Sequence, residues 1–255
     1  MSAMADTAHR IHPTAIVGKE CELAADVEVG PYCVVSGKVS LGQGVRLIAH
    51  VHVNGPAVIG AGTTIYPFAS LGLGPQDLKY KPGQPTGGIK VGQNCQVREH
   101  VTIHAATKPD IPTSTGDRAF LMVGSHLGHD VQIGNDVTLV NGTMLGGHAQ
   151  VGDNATLAGG TAVHQFTRIG RFAFVSGVPV AMDIPPFCLS ADRNQIHGIN
   201  QVGLRRSGMP REHITLIRKA FREVFRPTLP RAEMIARLEE LGATCPPVLE
   251  MARFV

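Results

Sequence analysis

From Leu121 to Val180 the chain repeats every six residues, and no other property restricts its fold so strongly. An aliphatic side chain opens each hexad, at Leu121, Leu127, Ile133, Leu139, Leu145, Val151, Leu157, Val163, Ile169 and Val175. Four places later stands a small or β-branched residue: Ser125, Val131, Val137, Thr143, Ala149, Ala155, Thr161, Thr167 and Ala173. A helix spaces apolar residues by three and four and an ordinary strand alternates them, so a strict six matches neither. It matches a parallel β-helix of hexapeptide repeats, in which three hexads close a triangular coil and each aliphatic residue stacks on its equivalent about 18 residues away. Pairing between coils about 4.8 Å apart satisfies the backbone. Small residues fit where the inside is narrow, and the outward positions are left for chemistry.

The same period starts at Ile11 and runs through Leu71, then slips by two residues. From Gly72 to about Lys90 the chain is rich in glycine and proline, which predicts an excursion out of the coil. The repeat returns at Val91, Val97 and Ile103, breaks from Pro109 to about Ala119, and resumes at Leu121. Roughly 24 hexads, or about eight coils, result. After Pro185 and Pro186 the hexads stop. Helices are predicted over 197–206, 211–225, 230–241 and 246–253, bounded by Pro210, Pro227, Pro230 and Gly242. Ile214, Ile217, Phe221, Val224 and Phe225 recur at helical spacing and should pack inward. The expected organisation is a β-helix over 1–190, with external loops near 72–90 and 109–120, followed by a helical domain over 191–255.

Thirty glycines, 17 prolines and 5% aromatics suit a turn-rich repeat. No apolar stretch approaches the roughly 18 to 20 residues of a membrane span, so a soluble, cytoplasmic protein without a transmembrane segment is expected. Five cysteines without a CxxC pair argue against a disulfide framework and a structural zinc site. Cys21, Cys33 and Cys95 fall at the small inward position and read as core. Residues 1–190 hold 12 Lys and Arg against 13 Asp and Glu, whereas residues 191–255 hold 11 against 7. The basic end is suited to an acidic carrier protein or a phosphorylated ligand. With no long basic run or aromatic interleaving, nucleic acid is not an expected partner.

His126, His129, Asp130, His148 and His164 all lie outside the core positions. An imidazole is suited to taking a proton from an alcohol, and a carboxylate beside it orients the ring and stabilises the cation that forms. Coil spacing brings Asp130 beside His148 and His129 beside Gly147. Gly146 and Gly147 offer closely approachable backbone, either as an oxyanion-binding amide or simply as a corner. There is no GxSxG and no cysteine beside a histidine on the outer face, which favours direct transfer with a general base. A zinc site built from His126, His129 and His148 or His104, shared between subunits as in the hexapeptide-repeat carbonic anhydrases, is a second reading. A non-catalytic scaffold is a third.

The stretches Ile11–Val17, Gln76-Asp77-Leu78-Lys79-Tyr80, Arg98–His104, His126-Leu127-Gly128-His129-Asp130 and Thr161–Phe166 resemble the bacterial UDP-N-acetylglucosamine O-acyltransferases that begin lipid A synthesis. So do Gly198-Ile199-Asn200 and Gly203-Leu204-Arg205-Arg206 near the end. The resemblance implies a left-handed coil and a homotrimer with active sites between subunits. It also implies that an (R)-3-hydroxyacyl chain passes from acyl carrier protein to the 3-hydroxyl of UDP-N-acetylglucosamine, with neither cofactor nor metal. Under it His129 is the general base, Asp130 its support and Gly147 the oxyanion amide. Asp77, His126 and His148 become sugar-side contacts, Lys79, His164, Gln165, Asn200 and Arg206 surround the nucleotide and acyl chain, and His104 and Arg205 join them as substrate-binding residues. Val202 stands where the family often has an acidic residue and Ser207 where it has a further arginine. An amino sugar nucleotide, acylated on nitrogen, is therefore the alternative acceptor.

Overall fold

The computed structural model describes residues 10–255, so the start of the expected β-helix at residue 1 lies outside the described residues. Strands of two to four residues stack into three sheets of eleven, nine and eight strands. Among the described residues every pairing between these strands is parallel except that of Gly198–Ile199, which runs antiparallel to Cys188–Ser190 at the end of the longest sheet. The register advances by one coil at a time: His126 pairs with Met144, and Met144 with Ala162. The coil winds left-handed, against the usual right-handed crossover rule.

The hexad openers form the core. Leu121, Leu139, Leu157 and Val175 pair in register as one fully buried column, each member contributing about 1.5–3 kcal/mol by leaving water. All nine small positions from Ser125 to Ala173 are buried as well. Between faces the chain turns through single residues in the left-handed region, where an L side chain is disfavoured. One corner carries Asp130, His148 and Phe166, with φ of 61°, 62° and 64°. Another carries Tyr32, His50, Phe68 and His100, whose rings stack in a ladder with centroids 5.0, 5.0 and 5.2 Å apart.

The coil count is higher than the hexads predict, about ten rather than eight. Three strands escape the aliphatic pattern: Thr113–Thr115, Pro179–Val180 and Cys188–Ser190. Thr113 and Thr115 are buried in the third sheet, so the second excursion ends at Pro112 rather than near residue 120. A β-branched threonine fills a core position there, and its hydroxyl is satisfied by backbone: Gly92 N–H donates to Thr115 Oγ1 at 3.2 Å. The first excursion leaves the coil after Leu73 and returns at Ile89. Beyond Leu157 the coils shorten: Ala162 pairs with Pro179, 17 residues on, and Phe174 with Leu189, 15 residues on.

At the carboxyl end lie α1 (Gln201–Arg206), α2 (Arg211–Ala220, continued by one π turn over Phe221–Phe225), α3 (Arg231–Gly242) and α4 (Pro246–Phe254). The first helix is shorter than 197–206, because Gly198 and Ile199 pair with Leu189 and Cys188 and Asn200 caps the helix instead. Ile214, Ile217, Phe221 and Val224 face inward and Phe225 is half-buried. Arg171 on the coil donates to Glu250 of α4 at 2.8 Å, fastening the helices to the last coils. No helix among the described residues is long and apolar enough to cross a membrane.

Candidate active site

His126 precedes Leu127 in the strand His126–Leu127, and because successive side chains alternate, a buried Leu127 sends His126 outward. Two residues on, His129 and Asp130 form the corner, and His148 holds the equivalent of Asp130 one coil later. The Nδ1 of His129 lies 2.7 Å from Asp130 Oδ2. A carboxylate there requires Nδ1 to carry a proton, and in the neutral ring Nε2 is then the nitrogen with the lone pair. Asp130 is nearly enclosed, its side chain 9% exposed. Burial pushes its carboxyl upward, but hydrogen bonds from His129 and from Thr107 outweigh that and hold it below the usual carboxylate range. The Thr107 hydroxyl donates to Oδ2 at 2.8 Å and the Thr107 N–H to Oδ1 at 3.1 Å. His148 Nε2 stands 3.6 Å from the same Oδ2, and its ring lies flat on Phe166 with centroids 4.5 Å apart.

Gly147 faces the free side of His129. A Cβ built there would lie 2.6 Å from both Cε1 and Nε2, so only glycine fits against the imidazole. Among the described residues the Gly147 N–H has no hydrogen-bond partner, although its carbonyl accepts from Phe166 at 3.0 Å. A free amide beside a basic nitrogen is the pairing that acyl transfer needs: one group removes a proton and the other receives developing negative charge.

These groups open on a cavity of about 480 Å³ that brings together His126, His129, Gly147, His164 and Gln165. Burial, and then the neighbouring His104, lower the His126 pKa, favouring its neutral form. Its Nδ1 is 2.7 Å from Thr102 Oγ1. His104 is tied through Nδ1 to the Gly74 carbonyl at 2.8 Å, and His164 through Nδ1 to the Gln165 carbonyl at 3.1 Å.

Eight candidates do not line this cavity within one chain: Asp130, His148 and His104, which stand beside its histidines, and Asp77, Lys79, Asn200, Arg205 and Arg206. The Asp77 carboxylate accepts from Lys79 N–H at 2.8 Å and shapes the excursion. Asn200 works as a cap, its Oδ1 accepting from Gly203 N–H at 3.0 Å and its Nδ2 donating to the Phe172 carbonyl at 2.9 Å. Arg205 borders a separate cavity of about 690 Å³ with Arg211 and Arg218. Val202 is exposed on α1, and the Ser207 hydroxyl is spent on the Leu204 carbonyl at 2.8 Å.

The cavity also takes in Gln76, Met144 and Ala162, which the sequence reasoning passed over. Met144 and Ala162 stand one and two coils beyond His126 in register, so counting coils forward from that histidine locates both. Thr107 has no such signal, because it lies in an excursion where the period is suspended.

His129, Asp130 and His148 offer ligand atoms within 4.8 Å of one another. Both Asp130 oxygens already accept hydrogen bonds, however, and His126 is turned towards His104, with ring centroids 5.4 Å apart. The three-histidine arrangement of the zinc reading is therefore not assembled among the described residues within this chain.

A family profile described as "Udp N-acetylglucosamine O-acyltransferase; Domain 2" matches residues 183–255. The chain is 42% identical over 252 residues to the acyl-(acyl-carrier-protein)–UDP-N-acetylglucosamine O-acyltransferase of Thermodesulfovibrio yellowstonii, covering 97% of this chain and 96% of the relative. It is 46% identical over 248 residues to the enzyme of that name from Azorhizobium caulinodans, covering 96% and 91%. Among solved structures, the Francisella novicida UDP-N-acetylglucosamine acyltransferase superposes with a TM-score of 0.91 at 32% identity, covering 95% of this chain and 90% of that one.

Proposed function

The chain belongs to the UDP-N-acetylglucosamine O-acyltransferase family and is an acyltransferase, and on that premise we propose that it moves a (R)-3-hydroxyacyl chain from acyl carrier protein to the 3-hydroxyl of UDP-N-acetylglucosamine in lipid A synthesis. The observation that carries this reading is the alignment of Asp130, His129 and Gly147: a carboxylate fixes Nδ1, and the opposite ring nitrogen faces a glycine whose amide is unengaged.

In this reading His129 Nε2 accepts the proton of the sugar hydroxyl as its oxygen attacks the thioester carbonyl carbon. Negative charge gathers on the carbonyl oxygen and is met by the Gly147 N–H, a role typically worth about 2.7–4 kcal/mol. Collapse breaks the carbon–sulfur bond. The imidazolium returns its proton to the sulfur, leaving ester on the sugar and free thiol on the carrier. Asp130 stays ionised throughout and stabilises the imidazolium. Neutral His126 is a hydrogen-bonding contact to the sugar, and His148 stands beside it.

We place the reaction in the cytoplasm with no metal or cofactor, in a homotrimer whose neighbouring subunit supplies the nucleotide and acyl contacts, among them Lys79, Asn200, Arg205 and Arg206. Arg205, Arg211 and Arg218 border one basic cavity, suited to the acidic surface or phosphate arm of the carrier. Residues 10–190 then form the catalytic coil and 191–255 the helical domain.

The test is mass spectrometry of products from purified protein with 3-hydroxyacyl carrier proteins of several lengths and either UDP-N-acetylglucosamine or its 3-amino analogue. An O-acyl product, abolished by orders of magnitude in a folded His129→Ala variant, is expected. Product from the amino sugar alone overturns the choice of acceptor, and undiminished turnover in His129→Ala overturns the base.

A further inference from the structure

We infer that Thr107, in the second excursion, is a positioning residue for the catalytic pair: it holds the Asp130 carboxylate in the rotamer that serves His129 and keeps it from turning to His148. The inference rests on the reading of His129 as the base.

The competition is built into the corner. Asp130 Oδ2 lies 2.7 Å from His129 Nδ1 and 3.6 Å from His148 Nε2. These two imidazoles are the titratable groups that approach the carboxylate, and a modest rotation about its side-chain bonds would exchange one for the other. Thr107 makes two bonds that oppose this rotation, hydroxyl to Oδ2 at 2.8 Å and amide to Oδ1 at 3.1 Å. The hydroxyl shares Oδ2 with His129, so the bond that fixes the carboxylate also fixes the oxygen the imidazole must meet. Where the chain re-enters the coil after this excursion, Thr113 Oγ1 accepts from the Asp130 N–H at 2.8 Å, so one short stretch grips both backbone and side chain of this residue.

Thr107 is itself well supported. Ala106 donates to the Gly88 carbonyl at 3.1 Å and accepts from Gly87 N–H at 3.3 Å, and Thr113 N–H donates to the same Gly88 carbonyl at 3.1 Å. The second excursion is thereby pinned to the root of the first, which carries Gln76 into the cavity. A partner anchored at two points loses little freedom when it makes its bonds, so it can direct the carboxylate rather than follow it.

Thr107→Val keeps the shape and removes the hydroxyl, Thr107→Ser restores it, and Thr107→Ala serves as a second deletion should valine overpack the loop. Each is assayed as full-length protein beside His129→Ala for kcat, KM and the pH profile of kcat/KM, with nitrogen-15 imidazole spectra of the resting enzyme. In the valine and alanine variants kcat should fall about 10- to 100-fold, the range usual for orienting partners, with KM for the sugar nucleotide within about twofold. The pH profile should depart from that of the wild type, because the carboxylate no longer holds the imidazole in place. The His129 Nδ1 proton signal should weaken, and serine should recover most of the rate. Wild-type kcat, pH profile and imidazole spectrum in both deletions would overturn the assignment, as would a serine variant as impaired as valine. Should His129→Ala itself retain turnover, the base reading fails on its own account; a dead His129→Ala beside a normal Thr107→Val removes only the role of Thr107.

Discussion

One glycine-sized space decides what the corner can do. At Gly147 an alanine Cβ would overlap the His129 ring, so Gly147→Ala must displace the imidazole or its own amide. Turnover should fall by about 10² or more, the cost of losing one oxyanion donor, while the far-ultraviolet circular dichroism of the coil is unchanged. One coil earlier, Ser125 fills a small inward position but its Oγ finds no partner among the described residues, unlike Thr143 and Thr161, whose hydroxyls each reach a backbone carbonyl at 2.7 Å. Leaving a buried hydroxyl unpaired costs about 1–3 kcal/mol. Ser125→Ala should therefore be stable or more stable by about 1 kcal/mol in urea unfolding, whereas Thr143→Ala should lose stability.

Among the elements, the clearest dependence is that of α1 on one side chain. Asn200 caps the helix through Gly203 and ties it to the coil through Phe172. Asn200→Ala should cost about 1 kcal/mol or more and lower the thermal midpoint by about 2–4 °C for each kcal/mol, as read by calorimetry. The strands were legible from sequence wherever the core is aliphatic, since a six-residue period has one geometric solution. They were missed where it is not: Thr113 and Thr115 occupy core positions with polar atoms, and the coil across Ala162 and Pro179 lacks a residue. The same boundary runs through the site. His129, Asp130, His148 and Gly147 meet as the coil spacing predicts, because they lie on uninterrupted coils. Thr107 and Gln76 sit on excursions, whose paths are set by contacts such as Gly88 with Ala106 that leave no periodic trace. Asn200 stands at the start of α1 as its cap, a place that a helix predicted from residue 197 does not show.

At the scale of the whole molecule, stability is spread along a stack, and acid should undo it through a few pinned carboxylates. Asp130 is held low by its hydrogen bonds despite burial, and Asp136 by the Arg118 side chain that donates to it. A carboxyl whose folded pKa is depressed adds stability above its ordinary unfolded pKa of about 4, and that contribution is lost as pH falls through the lower folded value. Asp130→Asn should flatten the fall in unfolding free energy below about pH 4, as measured by urea titrations across that range. The ring ladder at the amino-terminal half has a further consequence, an optical one. The chain has no tryptophan and three tyrosines. Tyr32 ends the ladder, Tyr66 lies under the Arg98 guanidinium, and the Tyr80 hydroxyl donates to Gln84 within the first excursion. Each chromophore therefore watches a different part of the molecule against a dark background, and replacing them one at a time separates the near-ultraviolet signal of the lower coils from that of the loop beside the catalytic corner.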